Sequence, residues 1–154
     1  MSQIFHQDFI DFLKALNEHD VKYILVGGYA VILHGYERVT GDMDTWVEST
    51  TDNYERLYKA FITFGMPVFD MSLNNFLDTE KFDVFRFGRD PVAIDIMTKV
   101  KGLIFDEVFD QSEIRVIDGI PVRVIHYHHL VEAKTQSGRN KDLNDLDNLR
   151  KTQL

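Results

Sequence analysis

The sequence contains no cysteine among its 154 residues. Disulfide bonds, thiolate metal sites and cysteine nucleophiles are therefore excluded, and a bound metal ion would need oxygen or imidazole ligands. No apolar run approaches the ~20 residues that a membrane-spanning helix requires. The N-terminal segment is charged and periodic and lacks the cleavage site of an export signal, so we expect a cytoplasmic protein that does not bind a membrane.

Positively charged residues are also fewer than negatively charged ones. The sequence has 17 Lys and Arg and 25 Asp and Glu, so the net charge is −8. Such a chain repels an extended nucleic acid unless its cations are gathered on one face. A small anion, such as a nucleotide already neutralised by a divalent metal ion, is compatible with this charge. A hydrophobic fraction of 44% supplies one core, and we expect residues 1–154 to form a single domain.

Hydrophobic periodicity predicts the order of helices and strands. Helices are predicted at residues 4–17, 29–33, 102–109, 127–136 and 141–149, and another is capped within 49–53 and runs to about 64. Residues 66–81 are ambiguous and contain a candidate single helical turn at 72–77. Strands are predicted at residues 22–26, 42–47, 82–87 and 92–97, with a turn at 88–91 and a second hairpin across 114–125. Because hairpins interrupt the alternation of strands and helices, we expect an α/β (α+β) fold with a mixed β-sheet flanked by helices.

Two acidic residues stand close together in the strand predicted at 42–47. Asp42 and Asp44 are two positions apart, so their side chains project from the same face of the strand. Carboxylates this close resist ionising together unless a cation lies between them. The pair is therefore a candidate half of a magnesium site. A solvated strand end that tolerates both acids is the commoner explanation of such a pair on its own.

A third acid, Asp95, interrupts the apolar strand predicted at 92–97. A buried, unpaired carboxylate costs several kcal/mol, so Asp95 should be protonated, paired with a base or bound to a metal. If this strand lies next to the strand at 42–47, three carboxylates converge on one face of the sheet. Such a set can hold two hard cations about 4 Å apart, an arrangement typical of phosphoryl chemistry.

Gly27 and Gly28 separate a short buried strand from a short helix. Without side chains the backbone can approach a phosphate closely, and the start of a helix adds partial positive charge. A plain strand-to-helix turn explains the two glycines equally well if the acids are ignored. They lack the third glycine and the downstream acid of the dinucleotide fingerprint, so a Rossmann domain is not favoured.

Residues 26–35, followed by Arg38, Thr40, Asp42 and Asp44, resemble the signature of the nucleotidyltransferase superfamily, which shares its fold with DNA polymerase beta. The sequence is most similar to small bacterial members related to the nucleotidyltransferase of abortive-infection toxin–antitoxin pairs. The resemblance implies a minimal nucleotidyltransferase fold.

The C-terminal part of the chain carries the same likeness. Leu130, Lys134, Gly138, Arg139 and residues 141–146 resemble the closing pattern of this family, so the resemblance covers nearly the whole sequence. We expect Arg139 and Lys141 to pair with Asp142 and Asp145 in a packing role.

The resemblance implies an enzyme that transfers a nucleoside monophosphate from a nucleoside triphosphate, such as ATP, to a hydroxyl group and releases pyrophosphate. The acceptor would be a small molecule, an RNA end or a protein. Asp42, Asp44 and Asp95 would hold Mg²⁺ or Mn²⁺, and Asp95 would also accept the proton of the attacking hydroxyl. The implied nucleotide-binding residues are Gly27, Gly28, Arg38, Thr40 and Lys134, although exposed structural roles are equally ordinary for Arg38 and Lys134.

A non-catalytic alternative fits the same sequence features. The domain would then recognise a protein partner, as a component of a toxin–antitoxin pair does, with little or no turnover. A chain this short has little room for an acceptor-binding domain, so a protein partner or a homodimer is expected in either case. A third acid that points away from the other two, or a lysine or arginine in the cation position, would argue against nucleotide transfer.

Residues 126–129 contain three histidines, which is a possible metal-binding pattern. No acid stands at a convincing spacing from them. We therefore interpret this segment as a strand end that leads into the next helix.

Overall fold

A computed structural model describes residues 3–89 and 92–153 of the chain. Its strands are β1 (Tyr23–Val26), β2 (Asp42–Val47), β3 (Val84–Arg89), β4 (Val92–Met97), β5 (Glu113–Ile117) and β6 (Ile120–Val124). Its helices are α1 (Gln7–Glu18), α2 (Gly27–Leu33), α3 (Thr51–Phe64), α4 (Leu73–Leu77), α5 (Phe105–Gln111), α6 (Tyr127–Ser137) and α7 (Asn140–Thr152). Within these described ranges no helix has the length and apolar character needed to cross a bilayer.

The strands form one sheet in the order β3-β4-β2-β1-β6-β5. β1 is antiparallel to β2 and parallel to β6, β2 is parallel to β4, and both β3–β4 and β5–β6 are antiparallel hairpins. The mixed sheet flanked by helices that the sequence predicts is therefore confirmed. The parallel pairing of β2 with β4 brings together two segments that are far apart in the chain.

The predicted and observed elements differ mainly at their ends. The helix predicted at 102–109 begins only at Phe105, because Gly102 has a φ of +82° that a right-handed helix does not accommodate. The strand predicted at 82–87 is Val84–Arg89, two residues later than expected. By contrast β2 and β4 have the predicted bounds.

Helices α1 and α3 pack against each other and bury a cluster of aromatic side chains. Phe12 is fully buried and meets the rings of Phe61 and Phe64 edge-on, with centroids 5.7 Å and 5.3 Å away. These edge-to-face contacts add to the free energy of burying the rings.

Asn53 anchors the start of α3 to the sheet. Thr50 caps the helix by accepting the backbone N–H of Asn53 at 3.2 Å. The buried amide of Asn53 then accepts the N–H of Lys22 at 2.8 Å and donates to the carbonyls of Lys22 and Glu48 at 3.1 Å and 2.9 Å. One side chain thus joins α3, the start of β1 and the end of β2.

The substitution Asn53→Asp should destabilise the fold, because it replaces the amide donor with an oxygen that faces two carbonyl oxygens. We expect the free energy of unfolding, measured by urea denaturation, to fall by about 2–4 kcal/mol. The exposed Asn74→Asp on α4 is the matched control and should change it by less than about 0.5 kcal/mol. Equal effects of the two substitutions would contradict the anchoring role of Asn53.

Candidate active site

The carboxylates predicted at the site lie on adjacent strands. The register of β2 and β4 places Asp44 beside Asp95, and the two carboxyl groups are in hydrogen-bonding contact. Asp42 projects from the same face of β2 as Asp44. The adjacency that the sequence analysis required of these strands is confirmed.

The environment of Asp44 disfavours its negative charge. Burial, the hydrogen bond with Asp95 and the charges of Asp95 and Asp42 raise the pKa of the Asp44 carboxyl to about 7. At neutral pH the carboxyl is therefore poised between its two protonation states. A cation placed against Asp44 would favour the ionised form.

An arginine that the sequence analysis did not identify contacts two of these acids. Arg86 of β3 is the cross-strand partner of Asp95 in β4. Its Nη2 donates to Oδ2 of Asp42 at 2.7 Å, and its Nε donates to Oδ1 of Asp95 at 3.1 Å. Hydrogen bonds and charge from Asp95 and Asp42 raise the pKa of Arg86 above its usual value.

The register of the β3–β4 hairpin explains why Arg86 was missed. The turn predicted at residues 88–91 would have placed Arg86 opposite Ala93. The structure instead pairs Arg89 with Val92, which shifts Arg86 by two residues and places it opposite Asp95. Residues 90 and 91 of that turn lie outside the described residues.

The expected two-cation site is not formed by the three acids as they stand. Within residues 3–89 and 92–153, no three His, Asp or Glu side chains are arranged to hold a metal ion. Arg86 occupies the position between Asp42 and Asp95, and an arginine there was expected to argue against nucleotide transfer. Arg86 engages Oδ2 of Asp42, so Oδ1 of Asp42 and the carboxylate of Asp44 supply the hard oxygen ligands that Mg²⁺ and Mn²⁺ prefer. The residues present therefore fit a divalent cation at that pair.

A cavity of about 430 Å³ opens beside these carboxylates. Its lining contains every predicted site residue except Asp95: Gly27, Gly28, Arg38, Thr40, Asp42, Asp44 and Lys134. Cations outside the prediction also line it, namely Lys99, Lys101, Arg139 and Lys141. Lys99 and Lys101 are two positions apart, and this spacing was the signal in the sequence that could have identified them. Such a spacing is weak evidence without the fold.

The glycine pair brings the backbone close to the acids. Gly27 starts α2 with a φ of +68°, and a Cβ atom there would lie 2.1 Å from Oδ2 and 2.9 Å from Cβ of Asp44. A Cβ atom on Gly28 would lie 2.6 Å from Oγ1 of Thr40. Both positions therefore require glycine. Glycine is also the residue that allows the backbone to approach a ligand closely.

Arg38 and Lys134 line the cavity, but their charges are already matched by acids of α7. Nη2 of Arg38 donates to Oδ2 of Asp145 at 3.1 Å, and Nζ of Lys134 lies 3.0 Å from the same oxygen. Nζ of Lys134 also lies 3.2 Å from Asp142. Asp142 and Asp145 are 0% and 1% exposed, so this is a buried ion network between the cavity wall and α7.

Asp142 is the most strongly paired acid of this network. Burial alone would raise its pKa, but hydrogen bonds, first of all from Arg139, and the charge of Lys134 outweigh burial and hold the pKa well below its usual value. Nε of Arg139 donates to Asp142 at 2.7 Å, as the sequence analysis expected of a packing role. The expected pairing of Lys141 has no counterpart among the described residues.

The histidine segment is confirmed as a strand end leading into a helix. His126 follows β6 and caps α6, because its Nδ1 accepts the backbone N–H of His128 at 3.2 Å.

Gly27→Ala tests the close approach of the backbone to Asp44. Gly65 is the matched control, since it also has a positive φ of +87° but no atom within 4 Å of a Cβ atom. We expect Gly65→Ala to lower the free energy of unfolding by about 1–2 kcal/mol through backbone strain alone. Gly27→Ala should cost at least ~1 kcal/mol more, because Asp44 must move. Equal losses in urea denaturation would show that Asp44 tolerates the added methyl group.

Asp142→Asn tests the buried ion network. The substitution leaves Lys134 with one carboxylate partner, so we expect a loss of about 2–4 kcal/mol in unfolding free energy at pH 7. Because the pKa of Asp142 is lowered in the folded state, its contribution is present above the usual carboxyl pKa and is lost as the pH falls below about 4.

The control for Asp142→Asn is Asp147→Asn on the same helix. Asp147 is 69% exposed and pairs with Lys151 at 3.3 Å, so its loss should cost less than about 0.5 kcal/mol at any pH. A difference between Asp142→Asn and the wild type that persists undiminished below pH 3 would contradict the charge assignment.

Solved structures with the same fold are nucleotidyltransferases. A candidate nucleotidyltransferase from Thermotoga maritima superposes with a TM-score of 0.57 at 12% identity, covering 94% of this chain and 94% of that chain. The antibiotic-resistance factor ANT(2″)-Ia gives a TM-score of 0.60 at 14% identity, over 96% of this chain and 83% of that one. The lincosamide antibiotic adenylyltransferase LnuA, solved with lincomycin bound, gives 0.56 at 14% identity, over 97% and 98%.

Sequence comparison identifies the family. No curated protein sequence matches the chain at a significant level. The model of the family described as nucleotidyl transferase of unknown function (DUF2204) matches residues 5–154. That match covers nearly the whole chain. It includes the glycine pair, the three acids and the α7 network. The chain therefore belongs to this nucleotidyl transferase family.

Proposed function

We propose that this protein transfers a nucleoside monophosphate from a nucleoside triphosphate to an acceptor hydroxyl, with release of pyrophosphate. The observation that carries the proposal is the position of Asp42 and Asp44, which line the cavity side by side next to the Gly27 turn. Membership of a nucleotidyl transferase family supports the class of reaction.

Asp42 and Asp44 would hold the divalent cation, Mg²⁺ or Mn²⁺. When bound, such a cation neutralises phosphate charge and polarises the phosphorus that is attacked. Asp95 does not line the cavity. We therefore assign it to positioning Asp44 through their hydrogen bond, in place of the cation-binding and proton-accepting roles inferred from the sequence.

The phosphates would lie against the glycine pair and the basic side of the cavity. Gly27 and Gly28 allow the phosphate oxygens to reach the backbone. Lys101 and Lys141 are exposed and line the cavity, and neither forms an ion pair within the described part of the chain. We propose that these two lysines contact the triphosphate, while Arg38 and Lys134 shape the wall through their bonds to α7.

The acceptor is a hydroxyl-bearing molecule of one of three classes: a small molecule, an RNA end or a protein. Among proteins with this fold, the antibiotic adenylyltransferase LnuA is solved with lincomycin bound and ANT(2″)-Ia in complex with adenylyl-2″-tobramycin, which makes small hydroxylated molecules the first class to test. Three further expectations stay predictions: a toxin–antitoxin role, a homodimer and a single domain over residues 1–154.

The test is the thermal stability of the protein with each nucleoside triphosphate, with and without magnesium. We expect one triphosphate to raise the melting temperature of the wild type in a magnesium-dependent way, because a ligand of the folded state stabilises it. Asp44→Asn should lose the magnesium-dependent part of this shift. Asp52→Asn, an exposed acid on α3, should retain it.

An unchanged magnesium-dependent shift in Asp44→Asn would remove Asp44 from the site. Incubation with triphosphate labelled at the α-phosphate then separates the acceptor classes, since the label is transferred to the acceptor. Absence of label in the small-molecule, RNA and protein fractions with all four nucleotides would favour the partner-binding alternative over catalysis.

A further inference from the structure

We infer that Arg86 takes the place of a second cation, so that the site binds one divalent ion and not two. This inference rests on the proposed function, because it concerns how the carboxylates of that site divide between a metal ion and a side chain of the protein.

The guanidinium of Arg86 joins the two carboxylates that a second cation would have to join. Nη2 lies 2.7 Å from Oδ2 of Asp42 and 3.3 Å from Oδ2 of Asp95, and Nε lies 3.1 Å from Oδ1 of Asp95. Both oxygens of Asp95 are therefore engaged by one planar group. Charge-assisted, bidentate contacts of this kind are the strong and directional ones.

The three acids also differ in whether they line the cavity. Asp42 and Asp44 are among its lining residues, whereas Asp95 and Arg86 are not. The Asp95 side chain is 14% exposed and the Arg86 side chain 48% exposed, so the arginine lies on the solvent side of the acid. An ion entering with the nucleotide reaches Asp44 and Oδ1 of Asp42, whereas both oxygens of Asp95 are already covered.

The local charge matches one divalent ion. With a cation placed against Asp44 the three carboxylates are ionised and carry three negative charges, and Arg86 reduces the net value to two. One divalent ion then neutralises the set, whereas two would leave an excess of two positive charges before the nucleotide enters. Without Arg86 the acids would have both the charge and the free oxygens to attract a second ion.

The position of Arg86 is built into the sheet. Arg86 is paired in register with Asp95, and the β3–β4 ladder holds residues on both sides of this pair, from Val84 with Met97 to Arg89 with Val92. A side chain that projects from the middle of a strand is held more precisely than one on a loop. The contact with the acids thus follows from the register of the hairpin.

The test counts the Mn²⁺ ions bound to each protein molecule by electron paramagnetic resonance, in the presence of a non-hydrolysable nucleoside triphosphate analogue. We expect one ion on the wild type and two on Arg86→Met, which keeps the length of the side chain and removes its charge and donors. Arg89→Met is the matched control on the same strand. Arg89 has no ion pair within the described residues, so its variant should bind one ion.

Two ions on the wild type would overturn the inference without any substitution, which keeps the test decisive even if Arg86→Met does not fold. A folded Arg86→Met, verified by circular dichroism, that still binds one ion would overturn it as well. Arg86→Gln, which removes the charge and keeps a donor, should also bind two ions.

Failure of the inference is distinct from failure of the proposed function. If the wild type and the variants bind the analogue with the same number of ions, the nucleotide site stands and only the role of Arg86 is wrong. If the wild type binds neither Mn²⁺ nor the analogue, both the inference and the proposed function are wrong.

Discussion

Three carboxylates on adjacent strands repel one another, and the architecture of the cavity depends on how that repulsion is balanced. The parallel pairing of β2 with β4 forces Asp44 and Asp95 together, and the burial and charge around Asp44 raise its pKa to about 7. A fold that places acids in this way needs compensating positive charge at the same place. Arg86 supplies one charge from β3, and the proposed cation, carried in with the nucleotide, supplies the rest.

On the opposite wall of the cavity, positive charges are the ones that need compensation. Lys134 is buried and Arg38 half-buried, and Asp142 and Asp145 of α7 neutralise them. This network is the reason for our proposal that Arg38 and Lys134, which the sequence predicts to bind the nucleotide, contribute chiefly to the wall. The exposed lysines that line the same cavity are left to attract an anion, although the protein as a whole carries a net charge of −8.

Local patterns in the sequence were sufficient for much of the site. Alternation of polar and apolar residues predicted β2 and an apolar run predicted β4, both with their observed bounds, and the glycine pair marked the turn into α2. The partners of each charge were not predictable in the same way. Arg86 was missed because a shift of two residues in a hairpin register changes which side chain faces Asp95, and the sequence around the turn did not define that register.

The sequence by itself determined which residues carry charge, which segments become strands and where the backbone is free of side chains, because those properties depend on residues close together in the chain. Only the tertiary structure decided that Asp95 is covered by Arg86, that Lys134 is held by α7, and that Lys101 and Lys141 face the cavity. These outcomes depend on strand register and helix packing between distant segments. The interaction between two charges is strong only when they lie a few ångströms apart. The number of residues between them in the chain does not determine that distance.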